Sequence, residues 1–394
     1  MDTQNQSSQS RRKFLKKSMV IGAMAPMIIP SLSSAQADSQ DQNPANKPLH
    51  PLKILILGGT SFLGPHQIAY AMSRGHSITT FTRGKTLPTI HKNLFRDVEQ
   101  LIGDRQDNLE ALRGLKWDAV IDNSGHREEW TRDSAALLKD NVETYLYTSS
   151  TGVYYPYLGS NIKEDTQPVL QVPSGITDYQ KGEYGYGVMK ALSEIEARNI
   201  YGDSRTIIVR PTYMMGPADQ TDRFTYWPVR LSRGGEVMVP GKPEDPVQFI
   251  DVRDVAEYMI RLIESKSTGT SNAVGPTSKM DMMAFVHGAH AAFSTPVTFV
   301  SVPDYDFLEK KYGILDLIPW IAPVGDNYGS ARINNELCVS NGIAYRPLAQ
   351  SVFDIFEWWN SEAVSEDRRL KMISGENAVM AREKEILSDW KKRN

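Results

Sequence analysis

The chain has 394 residues, of which 40% are hydrophobic and 23% charged, as is usual for a folded protein of one large or two modest domains. The net charge of −3 gives no general reason to expect nucleic acid as a partner, and beyond the N-terminus no apolar run is long enough to span a membrane. The single cysteine, Cys338, excludes an intrachain disulfide, and we interpret it as a small buried hydrophobe.

Residues 1–37 have the pattern of a twin-arginine signal peptide. The stretch Ser-Arg-Arg-Lys-Phe-Leu-Lys begins at Ser10, an apolar segment covers 18–32, and an Ala-Gln-Ala cleavage pattern ends at Ala37. Two prolines would interrupt the alternative, which is a basic amphipathic helix. We therefore expect the twin-arginine export machinery as a partner, a periplasmic or otherwise exported location, and no stable membrane insertion.

Cleavage after Ala37 would leave 39 basic and 46 acidic residues, a net charge of −7. Residues 38–50 are polar and rich in Pro, Asn and Gln, which is typical of a flexible linker. The twin-arginine route carries folded proteins, so it suits a protein that takes up a cofactor before export.

The stretch 52–64, Leu-Lys-Ile-Leu-Ile-Leu-Gly-Gly-Thr-Ser-Phe-Leu-Gly, predicts a strand, a tight turn and the start of a helix. Unpaired N–H groups at a helix start carry partial positive charge and suit a pyrophosphate. Glycine at 58, 59 and 64 would permit the turn and the close approach of phosphate. A glycine-rich turn without a ligand is the alternative.

The patterns that follow alternate between strands and helices. Strands are predicted at 77–82, 98–102, 117–121, 144–148, 206–209 and 272–274. Helices are predicted from 64 to about 74 and at 109–112, 131–138, 190–200, 280–291 and 348–359. Over 248–263, a strand is predicted to run into a capped helix. In the charged, helix-prone tail 365–394, the side chains of Leu370, Val379, Ile386, Leu387 and Trp390 are predicted to dock on the body. We find no internal repeat and no metal cluster with ligand spacing.

This alternation predicts an α/β fold, a Rossmann-like doubly wound parallel sheet with a smaller, mostly C-terminal substrate-binding subdomain. The dinucleotide-binding domain would cover 51–210, with 247–275 returning to it. Residues 211–246 and 276–394 would form the subdomain and a helical tail.

The ends of two predicted strands carry polar groups, and such ends point into the ligand crevice of a doubly wound sheet. The second strand ends in Thr82-Arg83-Gly84-Lys85 without an acid, which favours NADP over NAD, unless these residues form only a solvated turn. Asn123, Ser124 and His126 follow the fourth strand; His126 is a substrate candidate or a surface loop histidine.

Ser150 follows the fifth strand, and Tyr186 and Lys190 lie four residues apart in a predicted helix, on one helix face. A phenol has a pKa near 10, and a neighbouring ammonium group favours its ionised form. The three side chains can therefore form a proton relay at a substrate hydroxyl.

The segment 219–233 mixes basic and aromatic residues. Arg223, Tyr226 and Trp227 suit a polar, ring-shaped ligand, and an ordinary packed helix with Trp227 in the core is the alternative.

With these residues in hand, the chain resembles the extended short-chain dehydrogenase/reductase superfamily, in its NAD-dependent epimerase/dehydratase group. Four motifs occur in the family's order: the glycine-rich turn, Gly103-Asp104, Ser150 with the Tyr186 and Lys190 pair, and Arg210-Pro211 through Gly216-Pro217. The chain also looks similar to the chloroplast stem-loop RNA-binding proteins of that superfamily. It departs from the pattern at Ser61, where a glycine is usual, and at Asn123-Ser124, where small apolar residues are usual.

The resemblance implies a role for each matching residue. Ser150 and Tyr186 would hold the substrate oxygen, Lys190 would bind the nicotinamide ribose and lower the pKa of Tyr186, Arg83 would approach the adenosine ribose, and Asp104 and Arg105 would border adenine. The wider set that would contact the cofactor also includes Gly58, Gly59, Thr60, Ser61, Phe62, Leu63, Gly64, Asn123, Ser124 and Pro211. Substrate contacts would come from His126, Thr151, Tyr213, Arg223, Tyr226 and Trp227.

Three functions are then expected in descending order. The first is redox-neutral epimerase or dehydratase chemistry on a sugar or glycoside with tightly bound NAD or NADP, because an exported enzyme has no free cofactor pool. The second is a two-substrate sugar oxidoreductase with trapped NADP. The third is a nucleotide- or RNA-binding protein on the same fold, against which the charge of −7 argues. The first two take a small carbohydrate-like molecule and no nucleic acid, and the resemblance leaves a homodimer open.

Overall fold

The structure is a computed structural model, and it describes residues 50–393. The predicted signal peptide, 1–37, and the predicted linker except for His50 lie outside the described residues. Within the described part of the chain, no helix combines the length and the apolar character needed to cross a bilayer.

A parallel sheet of seven strands forms the centre of the fold. Its strands are β1 (Lys53–Leu57), β2 (Ser77–Thr82), β3 (Glu99–Ile102), β4 (Trp117–Asp122), β5 (Val142–Thr148), β6 (Thr206–Pro211) and β10 (Gly269–Ala273). They lie in the order β3-β2-β1-β4-β5-β6-β10, and every neighbouring pair is parallel. The order reverses between β1 and β4, so their carboxyl ends flank the crevice where such sheets bind ligands. This confirms the predicted Rossmann-like fold.

Ten α-helices accompany the sheet in residues 50–393. They are α1 (Leu63–Ser73), α2 (Glu128–Leu138), α3 (Asp178–Tyr201), α4 (Tyr226–Leu231), α5 (Val252–Glu264), α6 (Met282–His290), α7 (Glu336–Ser340), α8 (Leu348–Asn360), α9 (Glu366–Ser374) and α10 (Val379–Arg393).

Strand β1 shows how the sheet is covered on both faces. Ile54 and Ile56 point to one face and pack in a cluster with residues of α1 and α5. Leu55 and Leu57 point to the other face and pack with residues of α2 and α3. All four side chains are fully buried, and each such burial contributes about 1.5–3 kcal/mol. A continuous apolar run is therefore what a central parallel strand requires.

Helix α3 is longer than the sequence predicted. It begins at Asp178, twelve residues before the predicted start at Lys190, and a capping box fixes that start. The Thr177 hydroxyl accepts a hydrogen bond from the Gln180 amide at 3.2 Å, and the Gln180 side chain accepts one from the Thr177 amide at 3.1 Å. By contrast, the helix predicted at 109–112 is a single 3₁₀ turn, Glu110–Leu112.

The remaining strands form a second structural layer beside the sheet. They are β7 (Met214–Met215), β8 (Gly235–Pro240), β9 (Pro246–Asp251), β11 (Gly275–Asp281), β12 (Val297–Val302), β13 (Asp316–Leu317) and β14 (Trp320–Ile321). Strands β7, β9 and β11 form one small sheet, β8 pairs with β12, and β13 pairs with β14. Within the segment predicted to return to the dinucleotide-binding domain, 247–275, β10 joins the main sheet and α5 packs against it, while β9 joins the small sheet.

The C-terminal tail packs on this second layer. Ile386 and Leu387 are buried in its core, as predicted, while Leu370 is 52% exposed and does not dock. Glu383 of α10 is buried in an ion pair with Arg230 of α4 and accepts a hydrogen bond from the Met238 amide of β8 at 2.8 Å. The tail is thereby joined to both elements.

Candidate functional site

The predicted glycine-rich turn joins β1 to α1, and its glycines shape it. Gly58 and Gly59 have φ angles of +98° and +106°, which only glycine adopts readily. A Cβ atom on Gly64 would lie 2.2 Å from the Cα of Gly59, so the helix can start this close to the turn only with glycine there. No side chain caps α1, and its first turn carries no acid. The turn fits a pyrophosphate, because first-turn N–H groups attract anions.

The same turn lies between two cavities. Gly58 and Thr60 line the first, of about 240 Å³, which we call the nucleotide-side cavity. Phe62, the residue before α1, lines the second, of about 580 Å³, which we call the substrate-side cavity. Ser61, the departure from the family pattern, is exposed. Its side chain therefore needs no room inside the turn.

Most of the charged side chains that line the nucleotide-side cavity are basic. Arg83 and Lys85 line it just beyond β2, and the end of β2 itself carries Thr82, whose hydroxyl accepts a hydrogen bond from the Gly84 amide at 3.1 Å. Asp104 contributes an acid from the end of β3, and its carboxylate accepts from the Gln106 amide at 3.1 Å. The structure thus places the predicted adenosine-side residues around one cavity.

Arg105 lines this cavity, but its guanidinium is committed to the protein. It forms a buried ion pair with Asp122 and donates to the Ser134 hydroxyl at 2.8 Å and the Ser124 hydroxyl at 3.2 Å. Burial alone would raise the pKa of Asp122, but the Arg105 charge and its hydrogen bonds hold that pKa below the ordinary value. Arg105 thus holds the ends of β3 and β4 together and positions Ser124, and its place beside adenine stays a prediction.

Of two further predicted residues, His126 lines a different cavity from the one expected, while Asn123 lies beside the glycine-rich turn, with its Cβ 3.6 Å from the position of a Cβ on Gly58. His126, a substrate candidate, lines the nucleotide-side cavity and stands edge-on to Trp130, with 6.5 Å between ring centroids. Asn123 donates to the Gln67 side chain at 2.7 Å and accepts from the Thr148 hydroxyl at 2.7 Å. The amide of Asn123 therefore connects α1 to β5.

Ser150 and Tyr186 meet at the wall of the substrate-side cavity. Ser150 follows β5, and its hydroxyl accepts a hydrogen bond from the Gly152 amide at 3.0 Å. A Cβ atom on Gly152 would lie 2.9 Å from the Tyr186 ring, and one on Gly187 would lie 2.4 Å from the Gly152 carbonyl oxygen. Small residues at both positions let α3 pack against the turn after Ser150, which brings the two hydroxyl groups to one cavity.

Lys190 is buried one helical turn further along α3. Its ammonium group donates to the Thr148 carbonyl at 2.9 Å and lies 5.0 Å from the centroid of the Tyr147 ring. Burial lowers the pKa of Lys190 to about 8, while the charges of Asp122 and Glu194 oppose that shift. Burial also raises the pKa of Tyr186, which is opposed by the Ser150 hydroxyl and the Arg223 charge.

The substrate-side cavity also takes in Pro211, Thr151, Tyr213 and Arg223 from the predicted set. Several polar residues of its wall were missed by sequence analysis: Tyr157, Tyr179, Glu183, Thr212, Asp219 and Asp316. Helical spacing could have identified Glu183, because it lies three residues before Tyr186 on the same helix face. Asp316 lies 130 positions beyond Tyr186 in the chain, and no local sequence pattern indicates that it reaches this cavity.

Tyr226 and Trp227 are not substrate contacts in this structure. Trp227 is fully buried and donates its indole N–H to the Ile318 carbonyl at 2.8 Å. Tyr226 is 5% exposed and donates to Glu383 at 3.2 Å. Both belong to the core of the second layer, so the packed-helix alternative is correct for them. Among residues 50–393, no three His, Cys, Asp or Glu side chains are grouped so that they could hold a metal ion.

Comparison with sequence families matches residues 54–275 to the NAD dependent epimerase/dehydratase family. Over 275 residues the chain is 26% identical to the chloroplast stem-loop binding protein of 41 kDa b of Arabidopsis thaliana, covering 66% of this chain and 68% of that protein. Over 266 residues it is 25% identical to the epimerase family protein SDR39U1 of Bos taurus, covering 64% and 84%.

Solved structures with the same fold include two enzymes that contain bound NAD+. The enzyme WbmH of Bordetella bronchiseptica, solved in complex with NAD+, superimposes with a TM-score of 0.56 at 15% identity, over 80% of this chain and 100% of that one. UDP-glucose 4-epimerase of Bifidobacterium longum, solved with NAD+ and UDP, gives a TM-score of 0.55 at 16% identity, over 79% and 98%. At these identities the likeness shows the fold.

Proposed function

The chain belongs to the NAD dependent epimerase/dehydratase family, and from that premise we propose that it uses a nicotinamide cofactor to catalyse a redox-neutral reaction of a sugar or glycoside. One observation carries the proposal: Ser150 and Tyr186 line the same cavity as Phe62 of the glycine-rich turn. A dinucleotide whose pyrophosphate lies on that turn would extend toward these two hydroxyl groups.

Tyr186 and Ser150 have different roles at the substrate oxygen. Tyr186 takes the proton of a substrate hydroxyl, and Ser150 holds the same oxygen by a hydrogen bond. With a pKa of about 8, Lys190 is charged at neutral pH, while the Ser150 hydroxyl and the Arg223 charge favour the ionised form of Tyr186. The bound nicotinamide would accept and return a hydride. A substrate oxidised and then reduced within one turnover leaves the cofactor unchanged.

The cofactor is NAD or NADP, and the charge of the nucleotide-side cavity favours NADP. Arg83 and Lys85 provide two cations where a 2′-phosphate would lie, and Thr82 stands where NAD-dependent folds carry an acid. The glycine-rich turn supports dinucleotide binding in general, because its glycines permit the close packing of strand, turn and helix: a Cβ atom would lie 3.0 Å from the Thr80 side chain at Gly59 and 2.2 Å from the Gly59 Cα at Gly64.

The predicted signal supports a cofactor that stays bound. A protein exported in its folded form would leave the cytoplasmic pool of dinucleotides behind, so its cofactor must be regenerated in place. Epimerisation and redox-assisted elimination meet this condition. A two-substrate oxidoreductase with trapped NADP also meets it and is the second candidate.

A binding protein on this fold is the third candidate, and the name of the Arabidopsis relative, a stem-loop binding protein, is what favours it. The predicted mature charge of −7 opposes RNA binding, since phosphate contacts depend on basic residues. The intact set of Ser150, Tyr186 and Lys190 also favours catalysis, because a binding protein has no need of it.

The first experiment is mass spectrometry of the small molecules released when the purified full chain is denatured. We expect NAD(H) or NADP(H) in about equal amount to the protein after gel filtration, because an exported enzyme must retain its cofactor. A Tyr186→Phe variant serves as control, since it removes the phenol hydroxyl and leaves the glycine-rich turn intact. If the protein is empty and binds neither dinucleotide, both enzyme hypotheses are wrong and partner binding becomes the leading function.

A further inference from the structure

Two carboxylates line the substrate-side cavity on the wall reached by α3 and β13. Glu183 lies one turn before Tyr186 on α3 and is partly buried, and Asp316 is accessible on β13. Among residues 50–393, neither carboxylate has an ion-pair partner or a hydrogen-bond donor within the usual distances. Both groups are therefore free to accept hydrogen bonds from a ligand.

Acidic side chains outnumber basic ones in the wall of the substrate-side cavity. Glu183, Asp219 and Asp316 are acidic, and Arg223 is the basic residue among the described lining side chains. Asp219 is satisfied locally, since it accepts from the amide and the hydroxyl of Thr221 at 2.8 and 2.7 Å. The remaining pair of acids faces one arginine, so a phosphorylated ligand would meet net repulsion at this wall.

A third residue independently indicates a polar ligand in the same cavity. Thr212 is 6% exposed, lines the cavity, and its buried hydroxyl has no hydrogen-bond partner among the described residues. A buried hydroxyl without a partner costs free energy that a ligand hydroxyl can recover. Tyr157 and Tyr179 add aromatic surface to the same cavity lining, which suits the apolar face of a sugar ring.

Building on the proposed function, we propose that the substrate is an amino sugar without phosphate, and that Glu183 and Asp316 bind its ammonium group. An ammonium group donates three hydrogen bonds and carries the charge that this wall lacks. A neutral sugar would donate hydrogen bonds to the two carboxylates but would not neutralise their negative charge. The hydroxyl groups at the other end of the ring would then lie toward Ser150, Tyr186 and Thr212.

The titration of the two acids is consistent with this assignment. Burial and the charge of Asp316 raise the pKa of Glu183, and partial burial raises the pKa of Asp316, while the charge of Arg223 opposes both shifts. A cation placed between them would lower both pKa values again, because it favours the ionised forms.

The test is calorimetric binding of three probes to the purified full chain with its dinucleotide: D-glucosamine, D-glucose and D-glucose 6-phosphate. We expect glucosamine to bind about five- to tenfold more tightly than glucose, with the phosphate ester weakest, as for a partly exposed ion pair. Glu183→Gln and Asp316→Asn should each reduce the advantage of glucosamine about threefold or more. Glu196→Gln, the same charge change on α3 away from the cavity lining, should leave it unchanged.

Three results would overturn the inference: equal binding of glucosamine and glucose, tighter binding of the phosphate ester, or an undiminished preference in both cavity variants. Absence of glucosamine binding up to its solubility limit would do the same. The dinucleotide content of each sample separates this failure from that of the proposed function. A protein that holds dinucleotide but shows no amine preference overturns the substrate assignment alone.

Discussion

Arg210 and Glu194 form a buried ion pair directly behind the residues that line the substrate-side cavity. The Nε and Nη2 atoms of Arg210 donate to the two carboxylate oxygens of Glu194 at 2.8 and 2.6 Å, and both side chains are 5% exposed. Glu194 also accepts a hydrogen bond from Ser149, the neighbour of Ser150. The pair therefore connects α3, β5 and β6 where Ser150 and Tyr186 meet.

Replacement Glu194→Gln should destabilise the fold by about 3 kcal/mol, because it leaves the buried charge of Arg210 without its partner. Urea denaturation at neutral pH measures the loss. Glu196→Gln is the matched control on the same helix, and it should change stability by no more than about 0.5 kcal/mol. Equal stability of the two variants would show that the ion pair contributes little to the fold.

The packing of α3 against the turn after Ser150 depends on Gly187. Gly187→Ala should cost about 1–3 kcal/mol, because its Cβ would collide with a backbone carbonyl that cannot rotate away. Gly185→Ala is the control, since nothing lies within 4 Å of its Cβ position, and in a helix alanine is favoured by up to about 1 kcal/mol. Thermal unfolding of both variants measures the difference in stability between them. If Gly187→Ala is as stable as Gly185→Ala, the close contact is not a constraint on α3.

The sheet could be predicted from the sequence because its strands are short apolar runs ended by glycine or polar residues. The start of α3 was missed because Tyr184, Tyr186 and the neighbouring glycines weaken the helical pattern, although Thr177 and Gln180 form a capping box. The β8 and β12 pair was missed because it joins segments far apart in the chain, and local periodicity carries no information on such pairing.

The same limit applies to the site. Tyr186 and Lys190 could be identified because a spacing of four residues places both on one helix face, and Ser150 because it follows the end of a strand. The family resemblance places Arg105 beside adenine, and it does line the nucleotide-side cavity, but its ion pair with Asp122, 17 positions away, could not be predicted from local sequence. The acid Asp316 could not be found, since its neighbours in space are distant in sequence.

The depressed pKa of Lys190 links stability to pH. Its folded-state pKa of about 8 lies below the ordinary value of 10.5, so between these values the unfolded chain binds more protons than the folded one. Raising the pH through this window therefore stabilises the fold. Relative to Lys190→Met, the unsubstituted protein should gain about 2 kcal/mol between about pH 7.5 and about pH 9.5 in urea unfolding. Parallel pH profiles of the two proteins would show that Lys190 keeps its ordinary pKa.

The choice between NADP and NAD should depend on Arg83. Arg83→Ala is expected to weaken NADP binding about tenfold, the loss of one charged hydrogen bond to a phosphate, and to leave NAD binding nearly unchanged. Calorimetry with both dinucleotides, after removal of any bound cofactor, measures the two affinities. Arg113→Ala is the control, because Arg113 is 62% exposed, pairs with Glu110 and lies outside the nucleotide-side cavity. An equal loss for NADP and NAD in Arg83→Ala would mean that Arg83 contacts a part common to both, and the basic lining would then give no preference for the 2′-phosphate.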